Sequence, residues 1–136
     1  MATSRLSTLT IESFEAGCFD ATSFDHEAHL YVAWLYVRKY PPAEAIGRFS
    51  AALRRLTASL GVPGKYHATI TWFFLLLIAE RCACTPAPDW EAFRQANQDL
   101  LRRDEDIVSR YYSAELLATR HARENFVLPD RANASM

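Results

Sequence analysis

Two of the four histidines stand as His26-Glu27-Ala28-His29. Spacing of i, i+3 on a helix puts both imidazoles on one face, one turn apart, where two ring nitrogens can close on one cation. A third histidine, His67, follows Lys65-Tyr66 at the start of the most apolar stretch of the chain. If His26, His29 and His67 converge, three imidazoles with an open position form a transition-metal site that can act as a Lewis acid or activate water. Neutral imidazole suits Zn, Cu, Ni or Fe, and three nitrogens without a thiolate do not choose among them. Asp25 lies four residues before His29 and could accept its other ring N–H; Thr71 lies four after His67 on the same helix face. Tyr66 and Tyr36 could place phenols near the ion. Glu27 is turned roughly 100° from His26 around the helix, and Glu80 is ~20 Å from His67 along the axis, so both fall outside this site.

The same residues allow blander readings. A helix N-terminus disfavours a charged imidazole, which suits a ligand but equally suits a neutral structural histidine or a metal-free acid–base group. His121, within Arg120-His121-Ala122-Arg123, reads as part of a solvated face. Trp34, Tyr36, Trp72, Phe73 and Phe74 read as core, with the wall of a small-molecule pocket as the alternative. Arg54-Arg55 and Arg102-Arg103 read as solvated helix faces, and Tyr111-Tyr112-Ser113 could close over a pocket. The phosphate-loop, dinucleotide and serine-hydrolase glycine motifs are absent from the sequence.

Long helices must position these residues. Thr22 with Asp25 approximates a capping box for a helix to about Lys39, ended by Tyr40-Pro41-Pro42. Pro42 suits the first turn of the next helix, which carries Ala45, Ile46, Phe49, Ala52, Leu53, Leu56 and Leu60 at helical spacing and stops at Gly61. A third helix, about 65–84, is apolar on nearly every side and therefore central. A fourth, about 88–97, turns Trp90 and Phe93 inward. Short pieces follow at 99–103, 105–112 and 114–117; Thr119 caps one more turn through Asn125, and 126–129 packs as an extended tail. In an up-down-up arrangement the first and third helices run the same way, which puts the N-terminal ends of both at one end of the molecule. The expected fold is all-α: one domain over residues 1–136, with four main helices, an arm at 1–20 laid over it and a loose tail at 131–136.

Composition agrees with this and limits the function. The 136 residues are 50% hydrophobic and 12% aromatic, enough for a full core. Fifteen Lys+Arg against sixteen Asp+Glu give a net charge of −1, which speaks against nucleic acid and a polybasic membrane anchor. Tyr66 to Ala79, the longest uncharged stretch, falls short of the ~18–20 residues that span a bilayer. The N-terminus has no apolar signal core. Cys18, Cys82 and Cys84 are odd in number and lack zinc-knuckle spacing, so free thiols in the cytoplasm are expected.

Phe24, His26, His29, Leu30, Ala33-Trp34 and Tyr36, then Pro41, then Lys65-Tyr66-His67 and Thr69 form a recurrent pattern. With Arg110-Tyr111-Tyr112-Ser113 and Val127-Leu128-Pro129-Asp130-Arg131, it resembles a family of small, functionally uncharacterised bacterial proteins. The resemblance implies that the three histidines belong together; it carries no activity or cofactor. The sequence thus favours a small metal-dependent enzyme acting on a small molecule. A metal-binding sensor, carrier or accessory protein is the first alternative. A metal-free helical interaction domain, contacting its partner through the Arg-rich face of the second long helix, is the other.

Overall fold

Proline, glycine and short polar caps divide the chain into helices. The computed structural model describes residues 6, 8–20, 22, 24–102 and 106–131. Its long helices are α2 (His26–Lys39), α3 (Pro42–Ser59) and α4 (Ala68–Cys84), after a short α1 (Ile11–Ala16). The smaller helices α5 (Trp90–Ala96), α6 (Gln98–Leu101), α7 (Ala114–Leu117) and α8 (Arg120–Glu124) follow, with tighter 3-10 turns at Pro63–Lys65 and Ile107–Arg110. Among the described residues there is no strand, so the fold is all-α as expected. No helix there is long and apolar enough to cross a membrane.

Local chemistry sets most of these boundaries. Pro42 opens α3 where its missing N–H costs nothing. At the other end Gly61 adopts φ +76°; its N–H donates to Ala58 and the next N–H, of Val62, to Thr57. Only glycine takes that left-handed step without strain, so two carbonyls at the helix end are satisfied. Ser113 and Thr119 accept from Leu116 N–H and Ala122 N–H and so start α7 and α8.

Two starts differ from the expected ones. Asp25, not Thr22, is the N-cap of α2: its carboxylate accepts from Ala28 N–H at 3.0 Å, while the Thr22 hydroxyl donates to Asp20 at 2.6 Å. A carboxylate at a helix N-terminus also gains from the helix dipole, which a threonine does not. The third long helix begins at Ala68, with His67 as its cap, rather than near Lys65. Lys65 belongs instead to the 3-10 turn.

The N-terminal arm is more than a cover. Thr10 and Ser13 form a reciprocal capping box, and α1 drives Phe14 into the centre, where it is 1% exposed. There it stacks on Phe49 at 5.3 Å and Phe24 at 5.5 Å and meets the edge of Tyr36 at 6.1 Å. α4 packs against α2, α3 and α8, the central place its all-round apolar surface requires. Trp34, Trp90 and Phe93 form a second buried aromatic group. Tyr112 belongs to the core too, with its hydroxyl donating to Val127 at 2.7 Å, and with Tyr111 it lines a shallow cavity of about 300 Å³ beside Phe73 and Phe126. Arg131, expected in the loose tail, is anchored by its N–H to Tyr111 at 2.9 Å. The rest of that tail, 132–136, and 103–105 of the expected short helices lie outside the described residues, as do 1–5, 7, 21 and 23.

Candidate functional site

The three histidines are held in three different ways. His67 caps α4, its Nδ1 accepting the Ile70 N–H at 3.2 Å. A nitrogen that accepts is unprotonated, so Nε2 carries the hydrogen, and it donates to the Leu117 carbonyl at 2.8 Å. Both nitrogens are then engaged by backbone groups, and neither keeps a lone pair for an ion. His26 opens α2 and donates from Nε2 to the Leu100 carbonyl at 2.9 Å, which fixes that ring to α6. His29, one turn on, lies against Phe24 with ring centroids 4.2 Å apart. Burial, with His26 nearby, pushes its pKa down to about 4 against the opposing pull of Asp25, so it is neutral at pH 7.

Direction of travel was expected correctly, but axial stagger intervenes. The start of α2 lies beside α4, and Arg38 near its end acts electrostatically on Cys82 near the end of α4, so the two helices run the same way. The His26 ring, however, meets the edge of Phe74, 5.6 Å away. Phe74 is about 10 Å along the α4 axis from His67, at the helical rise per residue. Among the described residues no three His, Cys, Asp or Glu side chains are grouped so that they could hold a metal ion.

The polar groups expected around the histidines have their own occupations. Asp25 is the α2 cap. Tyr36 is fully buried and donates to Glu15 at 2.9 Å; burial first, and that carboxylate second, raise its pKa. Thr71 continues the first turn of α4 through its N–H to the His67 carbonyl. Tyr66 lies against the α3 side instead, with the Arg54 guanidinium 5.4 Å over its ring. The three cysteines are free thiols; Cys82 is half-buried, and burial raises its pKa.

One buried residue outside the expected set joins the middle of the chain to its C-terminal segment. Thr69 is 0% exposed. Its hydroxyl is 2.7 Å from the Ala122 carbonyl and 2.8 Å from that of Asn125, and it accepts the Val127 N–H at 3.2 Å. Its single proton is shared between the two carbonyls, and α8 and the segment after it are tied to α4. Its signal in the sequence was its place two residues after His67 in an otherwise apolar helix.

These ties build a cleft of about 620 Å³ between the C-terminal half of α3, the turn at Pro63–Lys65 and α8. Arg54, Arg120 and Arg123 line it, with Glu124 as the carboxylate among its lining residues. Glu124 accepts from Arg120 at 2.8 Å. Arg123 donates to the Gly64 carbonyl. Neither Arg123 nor Arg54 has an ion-pair partner among the described residues. Arginines that read as solvated faces therefore gather from two distant segments. The lining contains no histidine, cysteine or lysine. Three positive charges in a concave site attract an anion and offer it forked N–H donors.

Compared with protein-family models, curated proteins and solved structures, the chain finds no match.

Proposed function

We propose that this chain is a helical binding module that takes up an anionic ligand in the cleft between α3 and α8. One observation carries the reading: three arginines line the cleft against one carboxylate. Arginine is the residue of choice for such capture, because its planar fork stays charged and meets carboxylate or phosphate with two parallel bonds. The cleft size falls within the ~300–1,000 Å³ common for small-ligand sites. The lining holds no histidine or cysteine and its one carboxylate, Glu124, is held by Arg120, so the cleft is weighted to charge recognition rather than proton transfer. Binding without turnover is the function that follows. This develops the metal-free interaction reading of the α3 arginine face by giving Arg54 a concave setting.

The test is thermal. Citrate, added at constant ionic strength with sodium chloride, should raise the Tm of the wild type, since a ligand of the native state stabilises it by mass action. The Arg54→Gln/Arg123→Gln variant should lose that response. Equal Tm gains in both proteins would reject the cleft as the binding site.

A metal-dependent enzyme at His26, His29 and His67 is a separate proposal, supported by the neutral state of His29, which a ligand needs. It requires His67 to release Ile70 and Leu117. Elemental analysis of untagged protein, with His67→Ala beside it, decides the point: a stoichiometric metal lost in that variant would support this reading over the first.

A further inference from the structure

Resting on the anion-binding reading of the α3–α8 cleft, we infer that its ligand is a phosphomonoester of metabolite size. Charge is the first argument. Arg54, Arg120 and Arg123 against Glu124 leave a net charge of +2 in the lining. A carboxylate monoanion matches half of that; a phosphomonoester, close to −2 at pH 7, matches it fully. Donor supply is the second. A phosphoryl group has three terminal oxygens and several lone pairs to satisfy, whereas a carboxylate has two oxygens. Arg54 and Arg123 each bring forked donors not drawn into an ion pair among the described residues, and Tyr66 lines the same cleft with a hydroxyl that makes no hydrogen bond there. Size is the third. A cleft of about 620 Å³ holds far more than a bare ion. The phosphoryl group therefore anchors an organic remainder, and the half-buried Tyr66 ring supplies an apolar wall for it. Glu124 is the opposing element: as the carboxylate in the lining it repels the ligand and competes for Arg120.

The experiment compares the smallest members of the two anion classes on the full chain. Methyl phosphate and acetate are titrated into ¹⁵N-labelled protein at pH 7.5, and the arginine Nε–H and cleft backbone resonances are followed by NMR. Methyl phosphate should bind at least about tenfold more tightly than acetate, as expected where extra charge-assisted bonds form. Arg54→Gln and Arg123→Gln should each weaken it several-fold, and Glu124→Gln should tighten it. All three variants and the wild type are checked for unchanged resonances in α1 and α5, far from the cleft in sequence, so that misfolding is not read as lost binding. If acetate and methyl phosphate perturb the cleft with equal affinity, the phosphoryl assignment is overturned while the anion reading stands. If neither perturbs it, both fall.

Discussion

On α4 and at its start a histidine, a buried threonine and an arginine are matched, whereas across the α3–α8 cleft the charges are not. On α4, His67 uses both ring nitrogens, Thr69 satisfies three backbone groups, and Arg81 reaches Asp99 through both its terminal nitrogens, at 2.8 and 3.1 Å, with Asn97 at 2.8 Å. Arg94 and Glu27 add a similar tie between α5 and α2 at 2.8 Å. In the cleft, Arg54 lies over a ring and Arg123 against a carbonyl, without a carboxylate for either among the described residues. One residue type thus serves two ends. Matched polar groups orient helices; unmatched charges lose stability to self-repulsion and are useful only if something else arrives to neutralise them.

Acid is the broadest way to break the matched region. The pKa of His29 is about 4 in the fold against 6.5 for the free side chain, so between those values the unfolded chain binds more protons. Stability is therefore complete above about pH 6.5 and falls as pH drops toward 4, by up to about 3 kcal/mol from this group. Urea unfolding at pH 7 and pH 4.5, with His29→Gln removing part of the difference, measures it. A pH response unchanged in that variant would assign the loss to other groups.

Thr69→Val removes one hydroxyl of nearly equal volume and leaves two carbonyls and an N–H without it, at a cost of about 2–3 kcal/mol. Hydrogen exchange should show α8 opening first, because that is the element the hydroxyl ties down. His67→Ala loses a helix cap and the bond to Leu117, for about 1–2 kcal/mol, and His67→Asn should restore the cap share alone. Chelator should leave the wild-type Tm unchanged if the role of His67 is structural. Arg81→Ala follows at about 1–2 kcal/mol, discounted because Asp99 is partly solvated. At the far end of the scale, Arg54→Gln should shift stability by less than about 0.5 kcal/mol in either direction, as exposed substitutions do. Loss of anion binding with no loss of stability in Arg54→Gln sharpens the contrast. An unfolding midpoint that falls as far as in Arg81→Ala would erase it.

The sequence by itself determined the helices and how they end. Period, proline, Gly61 and the short polar caps act within a few residues, so their effect is local and readable; α3 and α8 began at the proline and the cap expected, and α7 at the residue expected. The same locality explains the misplacement of the α2 start by three residues: Thr22 and Asp25 can both cap, and the choice depends on where Phe24 packs against Phe14. The sequence also brought His26 and His29 to one face of one helix. What only the tertiary structure decided is the axial offset between α2 and α4, which sets the start of α2 beside Phe74 rather than His67. Offset follows from how whole surfaces interlock, and no spacing within one helix encodes it. The gathering of Arg54 with Arg120 and Arg123 has the same origin. Sixty-odd residues separate them, and they meet because buried Thr69 fastens the last helix to the central one.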